Sequence, residues 1–191
     1  MILLVALLLG LLAGWASARW HKRTYRAPDL NSIWLVPAAF VPQLLVAYLP
    51  LGKAWATSAA ASAALPFSLL LFLAFVWLNR KLPGMPVLLI GLVLNLLVIA
   101  ANGGWMPISP TTASQLPGGG DALLAPSGSH FGQKDILLLP AETHFALLAD
   151  RFLLPDWASY RAAFSLGDIF IALGAFWLLA VPGPAPISPK E

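Results

Sequence analysis

Five long stretches of the chain carry almost no charge: Met1 to Ala18, Ile33 to Pro50, Ala59 to Leu78, Met85 to Ala101 and Ser165 to Val181. About 20 mainly apolar residues cross about 30 Å of hydrocarbon, and such runs have few other uses. Five of them in one chain leave too little polar surface for solubility. The composition agrees, with 59% hydrophobic and 10% charged residues against roughly 25% charged in a soluble domain. A cytosolic enzyme and a nucleic-acid-binding module are both excluded on this ground. The predicted class is all-α: a polytopic membrane protein of about five transmembrane helices.

The charges predict its orientation. Ala16-Ser17-Ala18 has the form of a signal-peptidase site, but a signal peptide carries its positive charge before the apolar run. Here Arg19, Lys22, Arg23 and Arg26 follow it. That pattern predicts an uncleaved anchor with its N-terminus outside a bacterial cytoplasmic membrane. The loop Arg19–Ser32 and the turn Asn79-Arg80-Lys81 then face the cytoplasm. Leu51 to Ser58, with only Lys53, faces outward. The net charge of +3 reads as this topology signal. Trp15, Trp20, Trp34, Trp77 and Trp177 fall near inner ends of the spans, and Trp55 and Trp105 near outer ends, as interfacial tryptophans do. Trp157 falls in the outer segment. Three regions follow: 1–101, four transmembrane helices; 102–164, an extracytoplasmic Gly/Pro-rich segment; and 165–191, a fifth helix with a short cytoplasmic tail.

Within the first span Ala6, Gly10, Gly14 and Ala18 recur every four residues. Small residues at this spacing allow helix backbones to approach closely. The partner is either another span of the same chain or, through Gly10 and Gly14, a second copy. Pro37, Pro42 and Pro66 should bend spans two and three. Spans two to four hold no ionisable side chain in their interiors, which argues against an ion-coupled carrier. Asn95 and Asn102 share a helix face, and Asn95 is expected to make one interhelical hydrogen bond. Cysteine is absent, so disulfides and thiolate chemistry are excluded.

The outer segment must carry any site. Asn102-Gly103-Gly104 should cap the fourth span, because Gly accepts the left-handed conformation. Thr111 to Ser129 reads as a dispensable loop. Ile136 to Leu154 places Ala141, Phe145, Leu148, Ala149 and Phe152 at helical spacing, which predicts an amphipathic helix on the outer membrane surface, ended by Pro155 and Asp156. Ser165 and Asp168 have capping-box spacing at the last span; the alternative pairs Asp168 with Lys134 or Arg161. Candidate binding residues are Asn102, Lys134, Asp135, Glu142, His144 and Asp168. No metal-ligand spacing, nucleophile elbow or phosphate loop exists around them or His130. No catalytic set, metal site or cofactor is therefore assigned.

NGGWMP after the fourth span, FGQKDILLLP in the outer segment and SLGD opening the fifth occur in this order. Together they resemble a family of small polytopic bacterial membrane proteins known as a domain of unknown function. The resemblance is strongest from Met85 to Gly174. It implies the polytopic fold and carries no activity with it. The expected function is an accessory or scaffold protein in contact with membrane lipids, binding a partner subunit or a small lipophilic ligand through its outer segment. The rival is an enzyme acting on a lipid or isoprenoid at the outer leaflet. It requires several of Lys134, Asp135, Glu142, His144 and Asp168 to converge on one pocket.

Overall fold

The computed structural model describes residues 2–48, 59–155, 158 and 160–182. The Lys53 loop, Trp55, Asp156, Trp157 and the Pro-rich tail lie outside the described residues. Each of the five apolar stretches is a helix: α1 (Ile2–Trp20), α2 (Leu35–Tyr48), α3 (Ala59–Leu78), α4 (Met85–Ala101) and, after a short α5 (Pro110–Ala113), α6 (Leu166–Ala180). With 19 and 20 residues, α1 and α3 are long and apolar enough to cross a membrane; α2, α4 and α6 are apolar but shorter.

The five long helices form an arc in the order α1, α6, α4, α3, α2. The last helix sits between α1 and α4 because its glycines admit neighbours on two sides. Gly174 lies against Gly84 and Leu88 before and within α4, and Gly167 against Gly91 and Asn95. On the other side Gly10 of α1 meets Phe176 of α6, and Gly14 meets Leu179. The small-residue face of α1 is thus filled by a helix of the same chain.

The NGG motif closes α4 as its sequence predicts, with Gly103 at φ +74° and Gly104 at φ +89°. Gly104 has a second constraint. Pro66 has no N–H to offer the Ser62 carbonyl one turn before it, and Gly104 packs against that carbonyl, where a Cβ would collide.

Three expectations are corrected beyond this point. The chain is mostly helical but not all-α; its outer segment contains β1 (Met106–Ile108), β2 (His130–Phe131), β3 (Asp135–Leu137), β4 (Phe152–Leu153) and β5 (Ala163–Phe164). The three-stranded sheet runs β1-β3-β2 and the two-stranded one β4-β5. Secondly, Ile136 to Leu154 is not an amphipathic helix, and only Ala146–Leu148 forms a single 3₁₀ turn. Its first residues pair in parallel with β1, Asp150 bridges to Ile108 on the opposite edge of β1, and Phe145 stands at φ +54°. Pairing with the buried β1 strand overrides the helical periodicity. Nor is Thr111 to Ser129 dispensable: Ser109 caps α5, and Ala113 and Ala122 pack with Ile108 and Leu137 in a small second core.

Candidate functional site

Two buried asparagines hold loops to the bundle by the same device. At the end of α4, Asn102 Nδ2 donates to the His144 carbonyl (2.9 Å) and Asn102 Oδ1 accepts from His144 N–H (3.0 Å). At the end of α3, Asn79 does the same to both backbone groups of Asn31. Each side-chain amide substitutes for a strand neighbour. Asn102 is therefore structural, and His144 enters through its backbone while its ring is exposed. Asn79 was not singled out in the sequence; its position at a helix end beside Arg80 resembles an ordinary turn.

The charged centre is built around β1. Met106 N–H donates to the Lys134 carbonyl (2.9 Å), while Asp150 N–H donates to the Pro107 carbonyl (3.1 Å). These bonds on opposite edges of one short strand bring Lys134 and Asp150 side by side. Lys134 Nζ donates to Asp135 Oδ1 at 2.9 Å and to Asp150 Oδ2 at 2.5 Å. The Asp150 side chain is 1% exposed, and its Oδ1 has no hydrogen-bond partner among the described residues. Partial desolvation works against the Lys134 ammonium, whose side chain is still 47% exposed, but the two carboxylates outweigh it and hold the pKa above its ordinary value. Burial raises the Asp150 carboxyl to about 6; Lys134 opposes this, and Asp135 and Asp168 reinforce it. Asp135 is raised by burial and by Asp168, against the pull of Lys134. The sequence counts Asp150 among the groups available for chemistry but leaves it out of the candidate binding set, because it was placed on the polar side of a surface helix that does not form.

Asp168 completes the centre from α6. The capping box is present: Ser165 Oγ accepts from Asp168 N–H (3.0 Å) and Asp168 Oδ2 accepts from Ser165 N–H (3.1 Å). Asn95 of α4 ties it to the bundle, donating from Nδ2 to Asp168 Oδ1 (2.8 Å) and accepting from Ser165 Oγ (2.9 Å). Asn95 thus makes two interhelical bonds where one was expected. Asp168 forms no ion pair with Lys134 among the described residues.

Beneath this centre lies a cavity of about 540 Å³, within the range of small-molecule sites, walled by all five long helices. Its walls are apolar, including Leu7, Phe40, Leu69, Val76, Leu92 and Ile171, and its polar lining is confined to Asn95, Lys134 and Asp168. Lys134 also borders a smaller space of about 130 Å³ with Gln43, Trp105 and Gln133. A groove of about 630 Å³ between α1 and α6, beneath β4 and β5, has no charged lining. Of the nominated residues, Lys134 and Asp168 reach the central cavity, and Asp135 joins them through Lys134. Glu142 instead accepts from Ser127 Oγ. No group of His, Asp and Glu able to hold a metal ion occurs among the described residues.

The chain matches the family of unknown function DUF5317 over residues 28–180. An uncharacterized protein of Thermotoga maritima is 32% identical over 116 residues, which cover 60% of this chain and 57% of that relative. The chain thus spans little more than half of the relative's length. No solved structure matches it. The family match takes in every helix from α2 to α6, the sheet on β1 and the whole Lys134–Asp150–Asp168 centre, and the chain belongs to this family, DUF5317.

Proposed function

We propose that the protein is a five-span membrane protein that binds a small amphiphile, with its apolar chain in the central cavity and its head group at Lys134 and Asp168. It would serve as an accessory or scaffold protein for that molecule at the outer leaflet. The observation that carries this reading is the cavity itself: apolar throughout its depth and polar only at the end where α4 finishes and α6 begins. The space is a half-open cleft rather than a sealed void, so an alkyl chain can enter it directly. An aliphatic chain fills it without any polar group to satisfy.

Several features support the membrane setting. Large apolar side chains are exposed on every long helix, among them Leu12, Leu44, Leu70, Val93 and Leu173. The ends of α1 and α3 carry Arg19 over the Trp15 ring and Arg80 over the Trp77 ring, the pairing of aromatic anchor and snorkelling cation expected at an interface. Shorter helices are accommodated by such flanking anchors and by local thinning of the bilayer. Lys22, Arg23, Arg26 and Lys81 belong to that same cytoplasmic end, and the Lys134 centre to the opposite one.

The test is native mass spectrometry of protein released from lipid nanodiscs. Wild type is expected to retain one amphiphile per chain. Val36→Trp, which puts an indole into the cavity from α2, should lose it while keeping its thermal stability. Equal retention by both proteins, or none by wild type, would overturn the reading.

A further inference from the structure

The cavity mouth carries a charge imbalance that selects among head groups. Lys134 is its sole cation among the described residues that line it, and that ammonium is already engaged by Asp135 and Asp150. Asp168 lies within electrostatic reach of both of these carboxylates. Its own partners are neutral: the amide of Asn95 and the backbone N–H of Ser165. One ammonium therefore faces three carboxylates, and one oxygen of the buried Asp150 has no donor among the described residues.

On the reading of the cavity given above, we propose that the amphiphile's head group is a cation, an alkylammonium, seated against Asp168 beside the Lys134 cluster. Three head-group classes meet this mouth differently. An anion would reach the one N–H of Lys134 that is left, two being engaged by carboxylates, only against the repulsion of those two carboxylates. A neutral hydroxyl can exchange hydrogen bonds there but gains nothing from the surplus charge. An ammonium meets a carboxylate with unused lone pairs, since each carboxylate accepts about four bonds, at the edge of a low-dielectric space where opposite charges attract strongly. It also relieves the repulsion among Asp135, Asp150 and Asp168. The apolar wall below then takes the alkyl chain, which fixes the ligand's polarity as well as its class.

Dodecylamine, dodecanol and dodecanoic acid share one chain and differ only at the head, so saturable binding of each to protein in zwitterionic nanodiscs, corrected for empty discs, tests the assignment. Dodecylamine is expected to bind one per chain and at least about tenfold more tightly than the other two, a margin that one ion pair in a low-dielectric site readily supplies. Asp168→Asn should bring the amine to the level of the alcohol, Asp135→Asn should weaken the amine by a smaller factor, and both should leave dodecanol binding unchanged. Asp135→Asn leaves the capping box of α6 untouched, so a folding defect in the Asp168 variant would not obscure the result. Equal binding of all three, or preference for the acid, would overturn the cationic head group while leaving the cavity reading in place. Saturable binding of none would overturn both.

Discussion

Asp150 is the residue whose ionisation the fold opposes most clearly, and the consequence has a definite sign. Its folded pKa of about 6 lies above the ordinary carboxylate value, so the folded state holds the proton more tightly than the unfolded chain. The resulting stability is complete below about pH 4 and is lost as pH rises through about 6, to an extent of up to about 3 kcal/mol. Asp135 contributes with the same sign, whereas the raised Lys134 value acts only in strongly alkaline solution. Asp150→Asn keeps an acceptor for Lys134 and removes the titration. We expect it to flatten most of the fall in thermal midpoint between about pH 4 and pH 7 in detergent. The same contacts predict which pairs are coupled. Lys134→Ala leaves the buried Asp150 carboxylate without its cation, but the Lys134 side chain is 47% exposed, so solvent screening should hold the cost to about 1–3 kcal/mol. A double-mutant cycle with Asp150→Ala should be strongly non-additive, and one with Asp168→Ala close to additive, because no direct bond joins Lys134 to Asp168. Asn102→Ala should cost about 1 kcal/mol per lost bond, and hydrogen exchange should accelerate locally around His144.

The helices show what was legible in the sequence and what was not. Apolar run length located all five long helices within a few residues, because burial or lipid contact is the only use for such runs. The NGG cap and the Ser165–Asp168 box were equally legible, since both act through neighbours in sequence. The glycine seam was visible in principle: Gly84 and Gly91 are seven apart before and within α4, as are Gly167 and Gly174 in α6. Without a third dimension nothing showed that the two pairs meet. The region from Ile136 to Leu154 misled for a different reason. Its apolar spacing does fit a helix, but β1 offers unpaired backbone groups on both edges, and those bonds are available only after the chain has folded back. Those bonds are what carry Asp150 to Lys134, which is why it stayed outside the candidate binding set. For the seam, Gly91→Leu and Gly174→Leu are expected to lower stability by at least about 1–3 kcal/mol, the usual cost of overpacking, because backbone rather than movable side chain fills the space at each. Gly118→Ala and Gly120→Ala serve as controls, since nothing lies within 4 Å of an added Cβ at either, although Gly118, at φ +78°, should show a small backbone penalty. Thermal unfolding in detergent separates the sets.

For the molecule as a whole, the orientation is open to direct measurement. A cysteine at Ser127 should react with an impermeant reagent applied to intact cells, and one at Thr24 only after permeabilisation. Both side chains are exposed, so the opposite pattern would reverse the proposed topology. The arc order also has a bearing on how the protein is made. Helix α6 is synthesised after the other four, yet it forms the seam between α1 and α4. Until it leaves the ribosome, Gly10 and Gly14 on one side and Gly91 on the other face an empty slot, and Asn95 has neither Ser165 nor Asp168 to bond. The first and fourth helices share no extensive direct contact, so the bundle cannot close before α6 arrives. Ribosome-stalled chains that end before Ser165 should therefore be digested by added protease far faster than chains long enough to expose α6.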